Sequence, residues 1–419
     1  AMKRALHLVE ELQCGVVSST HFDINSGNSI EPKELTVSVE KVNAVLGIKV
    51  PDADIVRILK NLNFDPVLSG DTLTIKIPAY RTDMESYQDV AEEIIREYGY
   101  DHIVPTFIPT AQVTSGGNNL RQKSELKVKN ALCAAGVYEG IHYSFFSPSD
   151  LDLLRLPEDA PERHAIKLMN PINIDLSLMR TTLAPQMIAA IARNQKRGIL
   201  SGRIFELGNR FIAGELPLVD YPIEAETICI GIFGEKENFY TLKGVVDVIA
   251  DALDVEFRYE ASTKSFLHPY RTAAVSCDGE NIGYLGQLLY EIQDETDMRV
   301  PAYIAEIDLR ALSKYYGKKR VFTPLPKFAE QKRDLCFVMD KKITCAQVED
   351  SVKASCGFVT AIDLFDIYEG EQLGGDKKSM AFSLVFTPRD EELTDAAIDS
   401  FVSKILEDLG SKYGITLRA

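Results

Sequence analysis

The sequence lacks the features of a membrane, secreted or disulfide-stabilised protein. No apolar run approaches the roughly 18 to 20 residues that cross a bilayer, and residues 1–20 lack the basic-then-apolar order of a signal peptide. The seven cysteines are scattered, with no C-x-x-C pair and no histidine at zinc spacing. These absences predict a cytoplasmic chain whose cysteines are reduced and structural.

Positive charge is also scarce. The 46 Lys and Arg residues face 62 Asp and Glu residues, which gives a formal net charge of -16. Binding to nucleic acid through a general basic surface needs clustered Lys and Arg, so this class of function is excluded. Any contact with RNA must be local.

The order of helical and strand patterns predicts an α+β protein of several domains. Residues 1–33 begin with a helical pattern, Met2 to Leu12, and are interpreted as the tail of a preceding domain. Residues 34–105 form a small helix-rich module, and residues 118–317 mix helices with alternating strands that favour an antiparallel sheet. Residues 325–419 follow the order β-α-β-β-α-β, which is the ferredoxin-like signature.

A group of carboxylates stands out in the segment PAYRTDMESYQDVAEEIIREYGYDHI, residues 78–103. At about 100° per residue, Asp89, Glu92 and Glu93 share one face of a helix, opposite its apolar residues. Asp83 precedes this helix and could fold toward its N-terminal end, where backbone N–H groups favour negative charge. Such oxygen ligands suit Mg²⁺.

Spacing alone leaves two interpretations of this face open. Arg96 lies on the same face, four residues after Glu92, in the order that favours an acid-base pair. The face is then either an exposed, solvated helix surface or one side of a divalent-metal site.

The segments P-A-Y-R-T-D, D-V-A-E-E and R-E-Y-G-Y-D-H-I together resemble a module in beta subunits of bacterial phenylalanine-tRNA ligases. This resemblance implies a magnesium ion shared with the alpha subunit. Its ligands would be Asp83, Asp89, Glu92 and Glu93. It also implies that residues 1–33 are the end of a truncated editing domain.

The middle region is similar to the catalytic-like domain of the same subunit, which has the class II synthetase fold without its chemistry. The resemblance lies in M-R-T-T-L-A-P (179–185), A-R-N-Q (192–195), R-I-F-E-L-G (203–208), H-P-Y-R-T-A (268–273) and I-G-Y-L-G (282–286). After the last of these the family often has His-Pro, whereas Gln287 stands here. A working class II site needs an Arg near a Glu for the α-phosphate, and a Gly-rich strand with a second Arg. Arg203 and Glu206 are a remnant of the first, and AYIAEIDLRAL, which contains Arg310, has no glycine.

Two further predictions concern individual side chains of the chain. His268 is expected to serve a turn or an interface, because no nucleophile stands at a motif spacing from it.

The C-terminal region resembles the family's anticodon-binding domain, although its acidic residues outnumber its basic ones 17 to 12. The candidate tRNA contacts there are Lys327, Lys332, Arg333, Lys377 and Lys378.

The resemblance implies a non-catalytic beta-subunit fragment of an ATP-dependent enzyme that charges tRNA(Phe) with phenylalanine. Its partners would be the alpha subunit, in an α2β2 assembly, and tRNA(Phe), and its cofactor the shared Mg²⁺. No catalytic residue is expected in the chain itself. Two alternatives are a free-standing RNA-binding or regulatory module and a self-sufficient class II ligase.

Overall fold

The computed structural model describes residues 2–18, 32–106, 116–317, 322, 324–389 and 392–418. The chain divides into two units, Ala1–Gly116 and Gly117–Ala419. Most of the predicted tail after residue 18, and the linker residues 107–115 and 318–321, lie outside the described residues. No helix among the described residues is long and apolar enough to span a bilayer.

The first unit contains a three-stranded antiparallel sheet, in the order β1-β3-β2, packed against three helices. Ser38 caps the helix Val39–Leu46 through its side chain, and Gly47 ends this helix with φ at 69°. The elements are α1 (Met2–Glu11), β1 (Lys33–Ser38), α2 (Val39–Leu46), α3 (Asp52–Asn61), β2 (Asp65–Ser69), β3 (Thr72–Ile77) and α4 (Tyr87–Tyr98).

Helix α4 buries one apolar face, as its sequence predicts. Val90, Ala91, Ile94 and Ile95 are all buried in the core shared with α2, α3 and the sheet. Ser86 caps the helix and forms a capping box with Asp89. The polar face of α4 is therefore fixed in direction by its own core contacts.

The second unit is built on a seven-stranded sheet in the order β4-β7-β8-β12-β11-β10-β9. The predicted antiparallel arrangement is confirmed, since only β4 and β7 run parallel. Helices α5 and α8 pack on one face and α7 packs on the other. The elements are α5 (Leu120–Ala134), β4 (Tyr138–Glu139), β5 (Phe145–Phe146), α6 (Pro148–Leu153), β6 (Leu178–Met179), α7 (Ala184–Lys196), β7 (Gly202–Ile212), β8 (Ile223–Phe233), α8 (Phe239–Leu253), β9 (Phe257–Ala261), β10 (Leu267–Cys277), β11 (Glu280–Leu288), α9 (Tyr290–Glu295) and β12 (Ala302–Asp308).

The C-terminal part of this unit has the predicted ferredoxin-like order. Its four-stranded sheet runs β14-β15-β13-β16, and two helices cover one face of it. The other face, which the helices leave uncovered, is called the open face below. The elements are β13 (Gln331–Asp340), α10 (Cys345–Ser355), β14 (Val359–Tyr368), β15 (Lys377–Phe386), α11 (Asp395–Tyr413) and β16 (Thr416–Leu417).

Candidate functional site

The carboxylates beside α4 are organised by Arg81, a residue that the sequence analysis did not single out. Its guanidinium group donates to Asp83 at 2.7 and 3.0 Å and to Glu93 at 2.9 and 3.1 Å. The guanidinium also lies 5.4 Å from the ring of Phe64. Arg81 is part of the P-A-Y-R-T-D segment, but nothing in the spacing indicates that it turns back toward the helix.

Glu93 is buried, contrary to the interpretation of this face as a solvated surface. Its side chain is 8% exposed, and it also accepts a hydrogen bond from Arg96 at 2.6 Å. The expectation that Arg96 pairs with Glu92 is wrong, because Glu93 lies nearer the core and competes for the same cation. Hydrogen bonding from Arg81 lowers the pKa of Glu93, and lowers the pKa of Asp83 to about 2.

Asp89, rather than Asp83, occupies the N-terminal end of α4. Its Oδ2 atom accepts hydrogen bonds from the backbone N–H of Glu85 at 2.9 Å and from the backbone N–H and hydroxyl of Ser86 at 2.7 and 2.9 Å. The hydrogen bond from the Glu85 backbone is the main cause of the lowered pKa of Asp89. The expected role of Asp83 at this helix end is therefore taken by Asp89, while Glu92 is exposed.

These residues have the oxygen ligands that Mg²⁺ prefers, but their arrangement does not fit a closed metal site. Within the described ranges, no group of three or more His, Cys, Asp or Glu side chains is arranged to hold a metal ion. The Arg81 guanidinium already supplies the positive charge between Asp83 and Glu93. An ion would have to compete with this cation and with the helix cap.

The arginine and glutamate of the predicted class II remnant point away from each other. Glu206 is 3% exposed and lies on the α7 face of the sheet, where it binds Arg180 at 2.8 Å and His142 at 2.5 Å. Arg203 precedes Glu206 by three residues on β7, and successive side chains of a strand alternate between its two faces. Arg203 therefore lies on the opposite face, where it binds Glu237 at 2.9 Å. Arg310 is exposed.

The M-R-T-T segment contacts a second buried carboxylate, that of Glu306. Thr182 donates to its Oε2 atom at 2.6 Å, and the Tyr284 hydroxyl donates to the same atom at 2.7 Å. Arg180 and Thr182, from one short segment, thus donate hydrogen bonds to the two buried carboxylates of this face, Glu206 and Glu306. His268 lies in β10 and accepts a hydrogen bond from the Tyr270 backbone at 3.2 Å.

The candidate tRNA contacts are divided between the two faces of the C-terminal sheet. Lys378 lies opposite Met339, which is buried beneath the helices, so Lys378 points to the helix side and Lys377 to the open face. By the same alternation Lys332 lies on the open face, whereas Arg333 lies on the helix side and binds Asp395 at 2.6 Å.

Sequence reasoning missed the aromatic group of this open face. Tyr368 lies opposite Ser379 and therefore on the same side as Lys377. The guanidinium of Arg418 lies 5.0 Å from the Tyr368 ring, and the Arg418 backbone donates to Cys336 at 2.7 Å. Lys327 is exposed and precedes the sheet. The ring of Tyr368, the guanidinium group of Arg418 and Lys377 therefore lie together at one end of the open face.

Comparison with known families assigns three regions of the chain to domains of one class of enzyme. Residues 35–100 match the tRNA synthetase B5 domain. Residues 104–309 match the phenylalanyl tRNA synthetase beta chain CLM domain. Residues 326–418 match the ferredoxin-fold anticodon binding domain. These matches define an aminoacyl-tRNA synthetase subunit with an RNA-binding C-terminal domain.

Relatives along the whole chain identify the family. The chain is 34% identical over 422 residues to the phenylalanine–tRNA ligase beta subunit of Clostridium tetani, covering 100% of this chain and 53% of that protein. The corresponding identities are 32% for Staphylococcus haemolyticus and 30% for Bacillus subtilis, again with 100% of this chain and 53% of each relative. The chain belongs to the family of phenylalanine–tRNA ligase beta subunits and spans about half the length of these relatives.

The pairing of Arg81 with Glu93 should stabilise the first unit. We predict that Arg81→Gln lowers the free energy of unfolding at pH 7 by about 1–3 kcal/mol, because it leaves a buried carboxylate with one partner fewer. Arg57→Gln is the matched control, since the exposed Arg57–Asp54 pair should contribute less than about 1 kcal/mol. Urea unfolding of both variants measures the difference.

The acid dependence of this effect has a defined sign. The pKa of Glu93 is depressed in the folded chain, so the stabilisation is present above its ordinary value of 4.5 and is lost as the pH falls through the folded value. The stability gap between the wild type and Arg81→Gln should therefore narrow on acidification. A gap that stays constant from pH 7 to pH 3 would show that Arg81 acts through packing on Phe64 instead.

Proposed function

We propose that this chain forms the part of a phenylalanine–tRNA ligase beta subunit that assembles with an alpha subunit and positions tRNA(Phe). The complete enzyme would be an α2β2 assembly in the cytoplasm that uses ATP to join phenylalanine to the tRNA. We also propose the division into residues 34–105, 118–317 and 325–419, with residues 1–33 as the end of an editing domain.

The placement of Arg203 and Glu206 on opposite faces of one strand carries the proposal that this chain has no catalytic centre of its own. An α-phosphate bound by Arg203 would be separated from Glu206 by the thickness of the sheet. Glu206 is moreover already bound by Arg180 and His142 of the chain. Electrostatic stabilisation of a transferring group needs donors that converge on one point. Arg203 and Glu206 instead point to opposite faces of the sheet.

The open face of the C-terminal sheet supports the proposed contact with tRNA. Aromatic rings stack on unpaired bases, and guanidinium and ammonium groups bind the phosphates beside them. Tyr368, Arg418 and Lys377 offer this combination, and Lys332 and Lys327 would add weaker contacts. Arg333 is paired with Asp395 and Lys378 points to the helices, so these two candidates receive less support.

Adjacent lysines on opposite faces give a matched test of the RNA contact. We predict that Lys377→Glu weakens tRNA binding by the assembled enzyme by about fivefold or more and reduces its salt dependence by about one unit of slope. Lys378→Glu, which makes the same charge change on the helix face, should alter the affinity by less than about twofold. Equal effects of both variants would contradict an open-face contact, and tight binding without alpha would favour a free-standing RNA-binding module.

We further propose that Asp83, Asp89, Glu92 and Glu93 hold Mg²⁺ at the junction with the alpha subunit. Mg²⁺ is commonly fixed by one or two carboxylates and completed by other ligands. Arg81 partly neutralises Asp83 and Glu93, so the intrinsic affinity of the four carboxylates for Mg²⁺ should be low and the partner must supply the remaining ligands. When bound, the ion would supply the positive charge that joins the two subunits.

Glu92 is the most direct residue for testing the metal, because it is exposed and outside the Arg81 network. Glu92→Gln should leave the melting temperature unchanged and weaken the magnesium-dependent part of the affinity for alpha. Glu97→Gln, an exposed glutamate of the same helix outside the proposed ligand set, is the control. If the affinity for alpha responds neither to Mg²⁺ nor to Glu92→Gln, the carboxylates form only a structural network.

A further inference from the structure

A second concave site lies on the seven-stranded sheet, far along the chain from the carboxylates of α4. A cleft of about 750 Å³ opens beside the first residues of α8. Ala261 of β9 and Ala273 of β10 lie opposite each other and line it. These small side chains leave a space above the sheet edge that α8, which begins at Phe239, does not fill.

Aromatic rings form much of the wall of this cleft. Tyr270 is 92% exposed and Tyr240 is 76% exposed, whereas Tyr303 is buried at its inner end. Two highly exposed rings bordering one cavity contribute little to the stability of the folded chain. Aromatic side chains of proteins that bind single-stranded nucleic acids stack with unpaired nucleobases.

Arg271 places a partly unused guanidinium group at the same cleft. Its Nη1 atom donates to Oε1 of Gln287 at 2.6 Å and lies 3.4 Å from the hydroxyl of Tyr290. Gln287 is 1% exposed, so it anchors the arginine from the sheet. Across the described ranges, the Nε and Nη2 atoms of Arg271 have no hydrogen-bond partner. A guanidinium edge of this kind matches two oxygens of a phosphate group.

We propose that this cleft binds a nucleoside monophosphate group, either as a free nucleotide or as one unpaired nucleotide of an RNA strand. The base stacks on Tyr270 and Tyr240, and the phosphate is bound by Arg271. A cleft of several hundred Å³ has the size of a small-ligand site. The carboxylate of Glu260 also lines the cleft and opposes the phosphate charge. This site is separate from the open face of the C-terminal sheet and does not depend on it.

The test uses AMP, adenosine and a single-stranded trinucleotide, each titrated into the whole chain and followed by ligand-observed NMR. AMP should bind more tightly than adenosine, and Arg271→Gln should remove that difference because only AMP carries the phosphate. Tyr270→Ala should weaken both ligands by about fivefold or more through lost stacking. Glu260→Gln should strengthen AMP and leave adenosine unchanged.

Two exposed residues elsewhere in the unit provide controls. Tyr221→Ala removes a fully exposed ring and Arg310→Gln an exposed arginine, and neither should change binding. A trinucleotide that binds more tightly than AMP identifies an RNA strand as the source, and equal affinities identify a free nucleotide. The proposal is overturned if none of the three ligands binds at millimolar concentration, or if Tyr270→Ala and Arg271→Gln bind AMP as the controls do.

Discussion

Two buried carboxylates on one face of the seven-stranded sheet constrain much of the second unit. Glu206 and Glu306 are 3% and 4% exposed, and Cys229 lies between them in register on the intervening strand. A buried charge without partners would cost several kcal/mol, so both acids must be compensated from within the chain. Burial opposes the ionisation of Glu206, but the contacts with His142 and Arg180 outweigh it and its pKa lies below the ordinary value.

This requirement fixes the segment that leads into α7. Arg180 binds Glu206 on β7, and two residues later Thr182 binds Glu306 on β12. The segment must therefore run across these strands at the position where Glu206 and Glu306 are in register. Gly208 leaves room for the arginine, because a Cβ atom there would lie 2.1 Å from an Arg180 nitrogen. Burial, together with the neighbouring Glu306 and Glu206, raises the pKa of Cys229 well above its ordinary value. Glu206 and Glu306 are thus joined to the segment before α7 by one buried polar network.

The sequence predicts the elements of this protein better than the partners of its charged side chains. The ferredoxin-like order and the apolar face of α4 follow from periodicity, because period 3.6 and period 2 decide which residues are buried. The same period of 2 could have separated Lys377 from Lys378 and Arg203 from Glu206. The contact of Arg81 with Glu93 could not be foreseen, since it depends on how residues 78–83 turn before the helix. The cleft at Tyr270 depends on strands that meet only in the folded sheet.

We propose that the sheet of this beta-subunit chain supports assembly and carries no chemistry of its own. Phenylalanine-dependent exchange of pyrophosphate into ATP, measured on the purified chain alone, tests this most directly because it detects adenylate formation without tRNA. We expect no exchange above the rate without phenylalanine. Exchange that rises with phenylalanine concentration and is lost in Arg203→Gln would contradict it, and would assign the strand a catalytic role.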